Sequence, residues 1–265
     1  MDTSRPRIWE SLIHRFQPAG AARIGAIVMS YLNLMGFHPG GWGLDMLKAA
    51  AMTTLVSAAG FVCGNLLGLL GAAAKLSRFR TLGWFSEFYT TVFRGVPNLL
   101  VIYLFYFGSS NALSAVGKFF GAKGFVGAPE LLTGALALGV VSGAYQTEVF
   151  RGAYLSLQRG EIEAAKAVGM GPLLAFRRII LPQAARFAIP GLANVWQAVL
   201  KQSALISVTG LIELLRQSTV GSGSTHQPFA FFITAGVLYL LISIVTEDAF
   251  RRAEHRAMRG IRRVL

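Results

Sequence analysis

The chain has 265 residues, of which 54% are hydrophobic and only 14% charged, and its mean hydropathy is +0.53. A soluble domain carries about 25% charged residues, so this composition points to a membrane protein. The net charge of +13 does not make nucleic acid a partner, because inner-membrane proteins collect Lys and Arg in cytoplasmic loops for topological reasons.

Residues 1–44 form an N-terminal extension. Arg5, Arg7, Arg15 and Arg23 precede a short apolar stretch, residues 24–36. Basic residues before about 7–15 apolar ones have the pattern of a signal sequence. A short sixth helix that keeps the arginines inside is a second reading. Translation starting at Met29 or Met35 is a third.

A spanning helix needs about 20 mostly apolar residues, with its backbone hydrogen bonds satisfied internally. Five stretches qualify: residues 46–74, 83–108, 130–152, 187–211 and 228–250. None alternates as barrel strands would, so the expected fold is an all-α polytopic membrane protein with five core transmembrane helices over residues 45–255. The first and third spans are rich in Gly and Ala, which let helices approach closely in lipid. Arg94-Gly95-Val96-Pro97 interrupts the second span, and Gly with Pro there predicts a kink. Cys63 lies in the apolar first span; with no second cysteine there is no intrachain disulfide.

Orientation follows from Lys and Arg. Lys75, Arg78 and Arg80 lie in one loop, and Arg151, Arg159, Lys166, Arg177, Arg178 and Arg186 in another. Arg251, Arg252, Arg256, Arg259, Arg262 and Arg263 lie in or next to the basic tail, residues 256–265. The opposite side holds Lys48, Lys118, Lys123 and Arg216. Fifteen charges against four make the first side, with the C-terminus, cytoplasmic.

The cytoplasmic loop, residues 153–186, is too long for a turn and reads as two short helices. Glu161 to Val168 has strong helix formers, with acidic residues in the first turn where the helix dipole favours them. Gly169 suits the left-handed residue that ends a helix, and Pro172 the first turn of the next. Ala164, Ala167 and Val168 share a face, and Glu163 and Lys166 are spaced to pair.

Glu163-Ala164-Ala165, three residues, Gly169, nine residues, Ile179, one residue and Leu181-Pro182 resemble the EAA motif of ABC importer permeases at every position. TVFRGVPNLLVIYLFYFG (91–108), GAYQTEVFRGA (143–153) and LKQSALISVTGLIEL (200–214) are similar to the histidine/glutamine/arginine/opine branch of polar amino-acid permeases. GFHPGGWG (36–43) resembles the start of octopine- and nopaline-type permeases. The resemblance implies a type I ABC importer permease in the bacterial inner membrane. Its implied partners are a dimer of ATP-binding subunits, a second permease subunit (paralogue or self), a periplasmic amino-acid-binding protein and membrane lipid. It also implies that ATP-Mg is used by the partner, with no cofactor held by this chain. Glu161, Glu163, Ala164, Ala165 and Gly169 would couple the permease to the ATPase. Consistently, the sequence has no G-x-x-x-x-G-K-[ST] phosphate loop.

Within the fourth span Asn194, Gln197 and Lys201 fall at i, i+3, i+7, a polar stripe on an apolar helix, with Ser203 on an adjacent face. Intramembrane polar groups are costly and mark pathways. These residues, with Glu148 of the third span, are the candidate substrate pathway; Lys201 would hold a substrate carboxylate or pair with Glu148. Interhelical hydrogen bonding is the competing structural reading. Glu148 and Arg151 are one turn apart and suited to a local ion pair. The four histidines are scattered, which supports no metal site. An ion-gradient transporter or channel subunit remains the alternative function, although no inverted repeat of spans is evident. No catalytic constellation is present.

Overall fold

The computed structural model describes residues 25–26, 28–119 and 129–258. Among these the regular structure is helical and no strand occurs. The helices are α1 (Gly43–Leu76), α2 (Arg80–Gly95), α3 (Asn98–Phe119), α4 (Glu130–Leu155), α5 (Arg159–Ala167), α6 (Pro172–Ala175), α7 (Leu181–Gln202), α8 (Leu214–Thr225) and α9 (Pro228–Ala257). A π turn, Phe176–Ile180, joins α6 to α7, and a 3-10 segment, Ser203–Thr209, follows α7.

The four arginines on which the signal-sequence reading rests, Arg5, Arg7, Arg15 and Arg23, lie outside the described residues. Residues 28–34 are helical. Tyr31 hydrogen-bonds Thr234 of α9 at 2.7 Å, and Leu34 and Met35 pack against a cluster containing Met46 and Phe231.

Among the described residues, α1 and α9 are each long and apolar enough to cross a membrane unaided. The pairs α2 with α3, and Pro172–Thr209 with α8, qualify when each is taken together across its bend. The second span is therefore not one helix over 83–108. It breaks between Gly95 and Asn98 and turns through 107°, far beyond a kink. Val96 is extended there, and Pro97 cannot continue a helical hydrogen-bond ladder.

The third expected span, α4, has 26 residues and is about 39 Å long at the usual rise. It does not reach the hydropathy of α1 and α9 over a membrane-spanning length, and the other helices enclose it. Its buried residues include Ser142, Gln146 and Thr147, polar groups that lipid would not tolerate but neighbouring helices can satisfy. Gln146 donates to the carbonyl of Phe61, and Ser142 to that of Gly60.

α1 and α4 pack closely over four turns. A methyl group added to Gly60 would lie 2.7 Å from Leu138, and one on Gly68 2.7 Å from the Gln146 Cβ and 3.1 Å from its backbone. From the other side, Gly139 faces Cys63 and Gly143 faces Leu67. The Gly/Ala composition of these spans thus serves the close approach expected of it.

The pairings also give direction. Gly60 with Leu138, Gly64 with Ser142 and Gly68 with Gln146 advance together, so α1 and α4 are parallel. Gly191 against Val149, and Ile206 against Gly134, run oppositely, so α7 is antiparallel to α4. Gln197 with Ser243, and Arg186 with Ala257, make α9 antiparallel to α7. Parallel α1 and α4 require one traverse between them, which α2 and α3 supply. Leu76, Leu155, Pro172 and Ala257 then share one end of the bundle.

Candidate functional site: the coupling segment and the polar stripe

Helix α5 begins at Arg159, two residues earlier than the sequence suggests, and ends at Ala167 with Val168 as its cap. The Gly169 N–H donates to Lys166 and the Met170 N–H to Ala165, both at 3.0 Å. This pair of bonds, with Gly169 at φ +76°, is the Schellman ending that a left-handed glycine permits. No atom lies within 4 Å of where a Gly169 side chain would begin. The demand for glycine is therefore conformational, not steric.

Pro172 opens α6, as expected. However, α6 is no separate second helix: it runs through the π turn directly into α7. Between α5 and this continuous helix lies only the four-residue turn 168–171. Gln183 of α7 hydrogen-bonds Glu161, and the Arg186 Nε donates to the Ala257 carbonyl at the end of α9 at 2.7 Å.

Among the five coupling candidates, Glu163, Ala164 and Gly169 are exposed. Glu161 is exposed but engaged by Gln183. Ala165 is turned inward, only 4% exposed. The spaced pair Glu163 and Lys166 forms no ion pair among the described residues. Ala164, Ala167 and Val168 share the outer surface, with Val168 72% and Leu173 80% exposed. They form an apolar patch bordered by charge.

The polar stripe divides. Gln197 and Lys201 line a hollow of about 400 Å³ with Tyr239 and Ser243 of α9. Ser243 Oγ donates to Gln197 Oε1 at 2.6 Å, and Gln197 Nε2 donates to the Ser243 carbonyl. Lys201 and Asn194 are exposed on the surface of this chain. Ser203 is fully buried and donates to the Leu200 carbonyl at 2.7 Å.

Glu148 does not meet Lys201. Its carboxylate binds Lys75 at 2.5 Å and Arg151 at 3.0 Å, so the local pair with Arg151 forms and the pairing with Lys201 does not. The reason is depth: Glu148 sits near the end of the bundle at which α7 begins, and Lys201 lies far along α7 from it. Lys75 also binds Glu87 at 2.6 Å and Thr90 at 2.8 Å. This cluster joins α1, α2 and α4, while Arg94 stacks over Tyr145 at 5.5 Å.

Two further groups stand out only in three dimensions. The Lys75 side chain, counted in sequence as a loop charge, is just 6% exposed. Glu213 is fully buried and caps α8, accepting from the N–H groups of Leu215 and Arg216 and from the Tyr239 hydroxyl. An acid just before an apolar-periodic run is a cap signal, and Glu213-Leu214-Leu215 carries it.

Residues 64–259 match the family of binding-protein-dependent transport system inner membrane components. The chain belongs to this family. The octopine transport system permease protein OccQ of Rhizobium radiobacter is 63% identical over 235 residues, covering 89% of this chain and 99% of that protein. The nopaline permease protein NocQ of Agrobacterium fabrum is 49% identical, with 87% and 98% covered. The histidine/lysine/arginine/ornithine permease protein HisQ of Escherichia coli is 38% identical, with 82% and 95% covered. Among solved structures, an amino acid ABC transporter crystallised with histidines superposes with a TM-score of 0.68 at 28% identity, covering 81% of this chain and 95% of that one. The inward-facing methionine transporter MetNI shares the fold at a TM-score of 0.58 and 18% identity. This permease is therefore a membrane-embedded component of an ABC importer, a class that works with ATP-binding and substrate-binding partners. The gradient-driven alternative is set aside.

Proposed function

We propose that this permease carries a basic or opine-type amino acid across the bacterial inner membrane, and that the outer surface of α5 receives the force of ATP hydrolysis. The observation that carries the coupling reading is α5 itself. A short helix ended by a left-handed glycine presents Glu163, Ala164, Ala167 and Val168 outward, and a four-residue turn joins it to α6, which runs through the π turn into α7. A groove in a separate ATP-binding subunit would close over small Ala164 and contact Glu163; inward-facing Ala165 instead holds α5 to its own chain. Glu161 acts through Gln183, transmitting displacement of α5 to α7. ATP-Mg is bound and hydrolysed by the dimer of ATP-binding subunits. The transport pathway closes with a second permease subunit, a paralogue or another copy, whose surface meets exposed Asn194 and Lys201. A periplasmic binding protein delivers the substrate. In the hollow by Tyr239, Lys201 is the group suited to a substrate carboxylate, while Gln197 is committed to Ser243.

The cargo reading rests on the octopine and nopaline relatives. The test is transport by proteoliposomes holding the permease with its ATP-binding partners and binding protein, supplied with octopine, nopaline, arginine, histidine and glutamine. Octopine-type or basic substrates should be taken up, and Gly169→Val should abolish stimulation of ATPase activity by the loaded binding protein at unchanged membrane content. Uptake of glutamine alone would reject the cargo, and normal coupling in Gly169→Val would reject the role of α5.

A further inference from the structure

A groove of about 670 Å³ opens between α1, α4 and the π turn with α7, a size in the ligand range of about 300–1,000 Å³. Its floor is built from small residues, Ala153, Ala184 and Ala188, and its walls from Leu70, Phe150 and Leu181. The only lining residue with a polar side chain is Tyr154. Along α7 the lining runs from Leu181 to Leu192, about 16 Å at the usual helical rise. That is close to one leaflet of a hydrocarbon core of about 30 Å.

The end of the groove nearest α6 is framed by Phe176 and Ile180, the first and last residues of the π turn. Between them stand Arg177 and Arg178, both exposed. Neither is in an ion pair or hydrogen bond among the described residues, whereas Arg151, Arg186, Arg251 and Arg252 are all engaged. The turn widens the helix by one residue beside an apolar slot, and the two free arginines lie in that turn between the residues that frame the slot's end. This end is on the side that the charge asymmetry makes cytoplasmic. Paired arginines suit phosphate oxygens, and basic sites between membrane helices on that side suit anionic headgroups.

We propose that this groove is a binding site for an anionic phospholipid of the inner leaflet, its acyl chain along the alanine floor and its phosphate on Arg177 and Arg178. A protein occupant is disfavoured because it would have to supply two carboxylates opposite the arginines and a smooth apolar ridge beside them. A phospholipid carries both on one molecule. The site adjoins the π turn through which α5 connects to α7, so an occupying lipid would brace the coupling path.

The test introduces a tryptophan, Leu70→Trp, into the full transporter complex reconstituted in bilayers containing brominated phosphatidylglycerol or brominated phosphatidylcholine. Fluorescence is read as the difference from the parent protein. Quenching by brominated phosphatidylglycerol should exceed that by brominated phosphatidylcholine at least threefold, and Arg177→Gln with Arg178→Gln should remove the preference while leaving yield and elution profile unchanged. Equal quenching by both lipids in the Leu70→Trp protein would overturn the headgroup assignment. No quenching by either would show that a subunit covers the groove and overturn the site itself.

Discussion

Lys75 shows how one residue can change meaning between sequence and structure. In the sequence it is one of three positive charges after the first span, a topological signal. In the fold it is buried and holds two carboxylates and a hydroxyl from two other helices. Lys75→Met would keep much of the stem and delete the charge. Glu148 would keep Arg151, but its other oxygen would lose its partner, a defect of about 1–3 kcal/mol or somewhat more for a charged group. Glu87 is largely exposed, so its pair contributes at most about 1 kcal/mol. We therefore expect Lys75→Met to lower the melting temperature of the purified permease clearly and Glu87→Gln to do so barely. Adding Glu148→Gln to Lys75→Met should recover part of the loss, the coupling that a double-mutant cycle measures. Additive losses would show that the two groups do not interact. None of this was legible from the sequence, because Lys75 and Glu148 are 73 residues apart and no local pattern reports such a pairing. The Glu148–Arg151 pair was legible because it lies within one turn. Glu213 was partly legible, since its place before α8 is local, whereas its Tyr239 partner is not.

At the scale of elements, what could be read was composition and what could not was angle. Glycines and alanines in the first and third spans announced close packing, and α1 and α4 meet there. Gly95 and Pro97 announced a break, but its 107° is set by α2 crossing the bundle. Ser86 donates to the Gly71 carbonyl of α1, and Tyr89 to the Val140 carbonyl of α4. The loop helices differ from this: Gly169 and Pro172 punctuate the chain as their backbone chemistry predicts, but no residue in Phe176–Ile180 stops a helix, so α6 continues into α7. The glycine contact gives a prediction with an internal control. Gly68→Val would drive a branched side chain into the Gln146 backbone, an overpacking cost of about 1–3 kcal/mol. Gly108→Ala meets no atom within 4 Å and replaces glycine in a helix interior, which favours the helix by up to about 1 kcal/mol. Thermal unfolding in mild detergent should show Gly68→Val destabilised and Gly108→Ala unchanged or improved. Equal behaviour would mean α1 and α4 are not in close contact.

Over the whole molecule, helix directions and charge placement are independent observations that agree. The registers make α1, α4 and α9 parallel and α7 opposed, so Lys75, Arg159, Lys166, Arg177, Arg178 and Arg251 gather at one end of the bundle. Lys48 near the start of α1 and Arg216 in α8 lie toward the other. Had α2 and α3 turned back without crossing, α1 and α4 could not be parallel, and charges of both loops would not coincide. By the excess of Lys and Arg, the crowded end is expected to face the cytoplasm. Two fusions then check the assembly as a unit. A green fluorescent protein joined after Met258 should fold and fluoresce, as it does only in the cytoplasm, and alkaline phosphatase joined after Lys123 should be active, as it is only in the periplasm. Because three crossings, α4, α7 with α8, and α9, separate Lys123 from Met258, the two reporters test parity as well as orientation. A dark Met258 fusion with an active Lys123 fusion would mean an even number of crossings between Lys123 and Met258. Reversal of both would invert the molecule and place α5 where no ATP-binding subunit could reach it.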